Sequence, residues 1–408
     1  MCFSVLALSL LLAGQASGHA LFDAALPVQL GPRPFFLVDD MPAGALKEGL
    51  QACAAERGRY RSSRLSIGHR GAPLQFPEHS RESYVAAARM GAGIIECDVT
   101  FTRDLELVCR HGQGDLHTTT DILLGPLAER CTRPFAPAEF DADGRLLRAA
   151  DAECRSSDLS LAEFRQLRAR MDAHNPQART VEEYLDATPR WRTDLYAGAG
   201  GQLMSHADSI ALFQQLGVDM TPELKAAVVE LPFQGMDRRA LALKLLEDYR
   251  AVGVEPARVW PQSFHEEDVR LWLAEGGDYG RQAVMLDGAT DRGQLMPLER
   301  LAELRELGLR YYAPPLFALL ALDGEGRLTA SAHAQAVREL GLQLIAWSLE
   351  RSGPIGGSRP SWYYQDVEAA LQREGQVLEV VDVLVREAGV VGIFTDWPAT
   401  VSFYANCD

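Results

Sequence analysis

Glu96 and Asp98 stand two residues apart in the apolar run GIIECDV, and Glu223 stands two before Lys225 in DMTPELK. Side chains alternate across a strand, so the members of each pair point the same way. Carboxylates among apolar neighbours are costly unless paired or metal-bound. Three such hard oxygen donors suit one divalent cation, Mg2+ or Ca2+, completed by water and a substrate phosphate. The competing reading is a set of internal ion pairs with Arg70 and Lys225. Lys225 tilts the choice, because only Lys47, Lys225 and Lys244 are lysines in a chain with 40 basic residues. A compact point charge kept in mid-strand suits a phosphate or a neighbouring carboxylate. His69 in LSIGHRG and His111 in ELVCRH add two imidazoles. Such a pair can take a proton from a nucleophile and give one to a leaving alkoxide. Arg70 would grip non-bridging phosphate oxygens with two N–H groups. Phe264 and Trp347 fall at strand ends, where they either wall the leaving group or fill core. His79, His117, His174, His206, His265 and His333 lie on helical or loop-like stretches and read as surface or structural residues.

These side chains need a scaffold that gathers strand ends. Short apolar runs at 65–71, 93–99, 219–225, 258–264, 282–288, 309–315, 342–350 and 391–398 are candidate strands. Amphipathic stretches such as SRESYVAAARMG, DRRALALKLLEDYRAVG and LERLAELRELG lie between them, each closing on a glycine that suits a helix C-terminus. Eight βα units predict an α/β fold, a TIM (β/α)8 barrel, whose strand C-termini converge on one face. Between Asp98 and His111 there are too few residues for a parallel crossover, so TFTRDLEL reads as a hairpin tip. Folding about Arg103 and Asp104 sets His111 roughly opposite Glu96. Residues 112–217 are too many for a plain loop and read as an inserted subdomain on the catalytic face, with a helical pattern in SDLSLAEFRQLRARM. RSGPIGGSRPS at 351–361 is the best candidate for a mobile loop.

The chain has 408 residues and 40 basic against 56 acidic side chains, a formal charge of −16. Such a field argues against nucleic acid or an anionic leaflet as partner, and an anionic substrate must be held by local cations. The apolar stretch LALSLLLAG and the small residues after it make residues 1–20 a secretory signal, too short to span a membrane. The expected location is therefore secreted or periplasmic, without stable membrane insertion; the oligomeric state is open. Without Cys2, Cys53, Cys97, Cys109, Cys131, Cys154 and Cys407 form an even set in an oxidising compartment. Cys131 with Cys154 and Cys53 with Cys407 are the expected disulfides, while Cys97 and Cys109 are as well read as buried thiols.

The stretch GHRGAPLQFPEHSRESYVAAARMGAGIIECDVTFTRDLELVCRH resembles the signature of the glycerophosphodiester phosphodiesterase family: His-Arg-Gly, Pro-Glu-Asn-Thr, Ile-Glu-x-Asp, then a turn leading to His-Asp. TPELK, WPQSF and GIFTDWP are similar to its later motifs, so the likeness runs from about 64 to 400 in order. The resemblance implies a barrel with an inserted subdomain and a divalent metal on Glu96, Asp98 and Glu223. It likewise implies His69 and His111 as acid and base, and Arg70 and Lys225 on the phosphate. The implied substrate is a small-molecule glycerophosphodiester, cleaved to glycerol 3-phosphate and an alcohol. Attack by the glycerol 2-hydroxyl or by water is left open. Three positions depart from the pattern: His79 replaces asparagine, Leu105 the turn glycine, and Gly112 the aspartate after the second histidine, a partner for which Asp115 is the substitute in reach. A phospholipase D-like enzyme of the sphingomyelinase type on the same barrel, and a non-catalytic phosphodiester-binding protein, are the competing readings.

Overall fold

The computed structural model describes residues 27–56, 58–193, 200–357 and 361–408; the expected signal at 1–20 lies outside them. Strand β2 (Ala92–Phe101) shows how the sequence builds the barrel. Its even positions Ile94, Glu96 and Asp98 face the barrel interior, and its odd positions Ile95, Cys97, Val99 and Phe101 face the helices, so almost every residue is buried. Around it run β1 (Ser63–Gly68), β4 (Asp219–Leu224), β5 (Gln262–Ser263), β6 (Val284–Leu286), β7 (Tyr311–Ala313), β8 (Gln343–Leu349) and β9 (Val390–Thr395). The parallel order is β1-β9-β8-β7-β6-β5-β4-β2, and pairing of β1 with β2 closes the ring. All eight expected strands are present in the expected order. Three of them, β5, β6 and β7, shrink to two or three residues; beside β5 and β7, Pro261 and the pair Pro314 and Pro315 lack the N–H a ladder needs.

Helices cover the outside. Among them, α3 (Arg81–Arg89) starts on Ser80, α4 (His206–Leu216) on Ser205 and α5 (Arg238–Ala251) on Asp237, each side chain accepting from a first-turn N–H. The closing glycines Gly91, Gly253 and Gly308 take φ of 88°, 67° and 107°, a left-handed backbone that other residues resist. Two N-terminal helices, α1 (Arg33–Asp40) and α2 (Ala45–Glu56), lie against the last helix, Pro398–Cys407, where Cys53 is bonded to Cys407. Among the described residues no helix is long and apolar enough to cross a membrane.

The arm is present as β3 (Leu107–Cys109), antiparallel to β2 with Val99 opposite Cys109 and Phe101 opposite Leu107. That register centres the tip on Asp104, and the ladder ends at Cys109, two residues before the histidine expected roughly opposite Glu96. Leu105, at φ 63°, keeps the left-handed turn without the glycine. Beyond Cys109 the chain leaves the sheet. Cys97 and Cys109 are not free thiols: they form a disulfide across the arm, beside the expected Cys131–Cys154 and Cys53–Cys407.

Between the arm and α4 the described chain forms small antiparallel pairs, Arg133–Ala136 with Asp151–Glu153 and Arg168–Ala169 with Gly201–Gln202, over a second core built on Leu116, Ile122, Leu159, Phe164 and Tyr184. SDLSLAEFRQLRARM gives only one α-helical turn, Leu161–Phe164. Its helix stops because Arg168 is drawn into backbone and side-chain bonds with Asp121.

Candidate active site

The register places one layer of polar side chains at the C-terminal mouth of the barrel. Glu223 pairs in register with Asp98 on one side and Gln262 on the other, and His69 follows directly on the last residue of β1. Carboxylate oxygens of Glu96, Asp98 and Glu223 all lie within 4.8 Å of one another, and the three residues are buried. Glu96 Oε2 accepts the Arg70 N–H at 3.0 Å, and its Oε1 accepts from Gln262 Nε2 at 2.8 Å. Glu223 Oε1 accepts from Lys225 Nζ at 2.6 Å. Asp98 Oδ2 is 2.9 Å from His79 Nε2 and 3.5 Å from Arg70 Nε.

Burial and mutual repulsion set the charge state of this cluster. Burial, with the charges of Asp98 and Glu223, pushes the Glu96 carboxyl well above its usual range. Burial and Asp98 push Glu223 up to about 7 against the pull of Lys225. Asp98 goes the other way: burial opposes its charge, but Lys225 and His79 hold it well below the carboxylate range. Two further oxygens, Asp98 Oδ1 and Gln262 Oε1, are buried with no hydrogen-bond partner among the described residues. Orphaned buried oxygens beside three crowded carboxylates fit a hard divalent cation, which would satisfy the lone pairs and relieve the repulsion.

Both histidines feel the charges of this cluster. His69 Nδ1 is 2.5 Å from Asp396 Oδ1, while its Nε2 lies 3.5 Å from Ser348 Oγ and 3.9 Å from Glu96 Oε2. Asp396 stays ionised because Arg351 and His69 outweigh its burial. The Nδ1–H of His69 therefore donates to it, leaving Nε2 toward the site. Burial lowers the His69 pKa, helped by Arg70 and opposed by Asp396. His111 is held well below the ordinary value by burial and by the Arg70 and Lys225 charges. Arg70 bonds Glu78 Oε2 through Nη1 at 2.8 Å, and its own φ of 56° turns its backbone N–H onto Glu96. Phe264 and Trp347 pack edge to face at 5.6 Å, with Lys225 Nζ 5.7 Å from the Phe264 ring centre. All nine residues singled out from the sequence thus belong to one neighbourhood at the barrel mouth.

Residues 69–400 match the model of the glycerophosphoryl diester phosphodiesterase family. The chain belongs to this family. Membership makes it an enzyme of phosphodiester hydrolysis. An "Extracellular protein" of Arthroderma benhamiae is 45% identical over 242 residues, which is 58% of this chain and 99% of that one. A "Probable glycerophosphodiester phosphodiesterase 1" of Mycobacterium tuberculosis is 44% identical over 54 residues, 13% of this chain and 20% of its own. Among solved structures, an Oleispira antarctica phosphodiesterase superposes with a TM-score of 0.50 at 15% identity, over 85% of this chain and 97% of that one. A "Putative glycerophosphoryl diester phosphodiesterase" of Silicibacter pomeroyi gives 0.51 at 19% identity, over 87% of this chain and 94% of that one. At these identities the likeness is one of fold.

Other residues around the site have roles that their sequence reading missed or left open. His79 is not a surface residue: it is fully buried at φ 55°, its Nδ1 2.9 Å from the Tyr84 hydroxyl and its Nε2 on Asp98. Burial keeps His79 below the ordinary histidine value and Tyr84 well above the ordinary phenol value. The hydroxyl therefore donates to Nδ1, and Nε2–H donates to the carboxylate. Its place between PE and the helix cap Ser80 was the available signal. Asp115 does not hold the His111 ring; its Oδ2 accepts the Gly112 N–H at 2.9 Å, so it fixes the backbone after the histidine. Glu78 and Asp396 lie inside the quoted motifs PEH and FTDWP and hold Arg70 and His69. Arg351, the first residue of the stretch expected to be mobile, is bonded to Asp396 and Asp172; residues 358–360 of that stretch lie outside the described residues.

Proposed function

We propose that the enzyme hydrolyses glycerophosphodiesters to glycerol 3-phosphate and an alcohol, with a divalent cation, Mg2+ or Ca2+, held by Glu96, Asp98 and Glu223. The observation that carries this reading is the convergence of those carboxylates around the unbonded Asp98 Oδ1, with His69 and His111 beside them. A bound cation would supply charge neutralisation at the phosphate and acidify a coordinated hydroxyl. Arg70 and Lys225 hold the non-bridging oxygens in this reading, and Phe264 and Trp347 line the leaving-group side. His69 and His111, both neutral in the free enzyme at pH 7, divide the proton work. One takes the proton of the attacking hydroxyl at its open nitrogen, and the other, charged as the anionic substrate enters, returns one to the alkoxide. Asp396 keeps the His69 ring in one tautomer and stabilises its imidazolium. A small polar substrate agrees with the sn-glycerol-3-phosphate product bound to the Oleispira antarctica enzyme.

The test is metal depletion and add-back on purified protein with a panel of soluble glycerophosphodiesters. Turnover of glycerophosphocholine that vanishes with chelator and returns with Mg2+ or Ca2+ is expected. Undiminished activity after complete chelation would remove the metal from the proposal, and activity confined to sphingomyelin vesicles would replace the substrate class. We further propose that residues 1–20 are a signal, that 112–217 is an inserted subdomain, and that the mature enzyme is secreted or periplasmic. Three disulfides and the extracellular relative support that location.

A further inference from the structure

Arg351 follows β8, and its side chain is one-fifth exposed. Its Nη1 donates to Asp396 Oδ2 at 3.2 Å and its Nη2 to Asp172 Oδ2 at 2.8 Å, with Glu78 Oε2 3.5 Å from Nη2. Each partner leads elsewhere. The other oxygen of Asp396 holds the His69 ring, and the Glu78 oxygen holds Arg70. Asp172 comes from the 112–217 segment and is itself seated by Arg192, at 2.5 Å, whose Nη2 is anchored on Pro73 O at 2.6 Å. One guanidinium therefore joins the carboxylate behind a histidine, the carboxylate behind an arginine and the segment over the barrel mouth. Only a planar fork can do this; an ammonium has no two edges to present. Arg351 is tied to partners and touches no reacting atom.

We propose that Arg351 is a positioning residue for His69, and that Asp172 is the clamp that seats it, so that the 112–217 segment helps to assemble the site. This rests on the function put forward above. Displacing the guanidinium frees Asp396 Oδ2 and lets the carboxylate and the His69 ring rotate together. Misplacement of a reacting group by about 1 Å costs roughly 100-fold in rate. The 112–217 segment is thus a condition for a fixed acid/base histidine, beyond any contact it makes with substrate.

The test is a mutant cycle read two ways. With glycerophosphocholine and saturating cation, Arg351→Gln is expected to lower kcat about 100-fold and Asp172→Asn about 10-fold. Arg351→Lys, which keeps one charged contact, falls between wild type and Arg351→Gln. In an Asp396→Asn background each of these changes costs less than about threefold more, because the carboxylate they hold in place no longer orients His69. A purely structural role predicts full multiplication of the effects in that background, which would overturn the proposal. So would wild-type kcat in both Arg351→Gln and Asp172→Asn. The second readout needs no turnover: the downfield proton resonance of the short His69 Nδ1–H bond is present in the wild-type protein and lost or broadened in Arg351→Gln and Asp172→Asn. If Arg351→Gln fails to fold, Asp172→Asn alone and in the Asp396→Asn background decides by both measures. A wild-type protein inactive on every glycerophosphodiester sinks the functional reading, while the resonance still decides this one.

Discussion

The two histidines reach the same cluster by different routes. His69 continues a barrel strand hydrogen-bonded on both sides, and its ring is fixed by Asp396 at 2.5 Å. His111 arrives on an antiparallel arm that ladders with β2 on one side and meets the chain on the other in a single bridge, Val108 with Ser205, and among the described residues no hydrogen bond holds its ring. The arm makes up for missing sheet neighbours with devices of its own: the Cys97–Cys109 disulfide, the buried Arg110 donating to Glu78 O at 2.8 Å, and Asp115 on the Gly112 N–H. A position inside a closed barrel is imposed by its neighbours, whereas a position on an edge must be stapled.

The largest effects test whether the two routes end in equal chemical duty. His69→Ala and His111→Ala are each expected to cut turnover of glycerophosphocholine by at least about 1,000-fold. They should differ in stability. Loss of His69 strands a buried Asp396 and costs roughly 1–3 kcal/mol, whereas loss of the unbonded His111 leaves the denaturation midpoint nearly in place. Near-wild-type activity in either variant would end the acid/base assignment, and equal midpoints would end the contrast in anchoring.

Next comes the staple. The Cys97–Cys109 bridge spans 12 residues, so replacing both cysteines by alanine should cost about 3 kcal/mol in the chain-entropy picture. Because the bridge ties the residue before Asp98 to the residue two before His111, kcat should fall with it. Removing Cys53–Cys407, whose separation is 354 residues and whose place is far from the mouth, should cost stability and spare kcat. Chemical denaturation with steady-state kinetics on both double variants checks this, and matching kcat losses would contradict the local role given to the arm's bridge.

What was legible in the sequence follows the same division. The eight strands, the arm and the trio Glu96, Asp98 and Glu223 follow from patterns of period two and from short spacings, which are local. The residues that hold the functional groups are paired across the chain: His69 with Asp396 over 327 positions, Arg351 with Asp172 over 179. Burial of a charge can be read from its neighbours in sequence, but the identity of its partner is settled by the closing of the barrel. His79 shows the limit. On a loop before a helix a histidine reads as surface or structural, with no partner in view; here a left-handed backbone turns it inward onto Asp98.

Asp115 gives the arm a pH signature opposite in sign to that of the His69 corner, where His69 and Asp396 both sit below their ordinary values. Burial pushes its carboxyl from 3.8 up to about 6, with Arg110 pulling the other way. A raised carboxyl binds its proton more tightly in the folded chain, so its contribution to stability is present below pH about 4 and lost as pH rises through about 6. The difference is at most about 3 kcal/mol, and less where solvent reaches the group. Asp115→Asn should therefore flatten the stability profile between pH 4 and 7, seen in urea midpoints at several pH values. Unchanged curvature would show that the Gly112 N–H compensates fully for the buried charge.

The smallest effect concerns the tip of the arm. Leu105 holds φ at 63°, a left-handed backbone that costs a side-chain-bearing residue roughly 1–2 kcal/mol. Leu105→Gly removes that strain but adds unfolded-state entropy of about 0.4–1 kcal/mol and gives up the partial packing of Leu105 on the core. The terms nearly cancel, so stability should move by less than about 1 kcal/mol. Activity should not change, because the tip at Asp104 is separated from His111 by the paired strand and the Cys97–Cys109 bridge. A kcat loss of tenfold or more in Leu105→Gly would mean that strain at the turn, and not the staples behind it, sets where His111 stands.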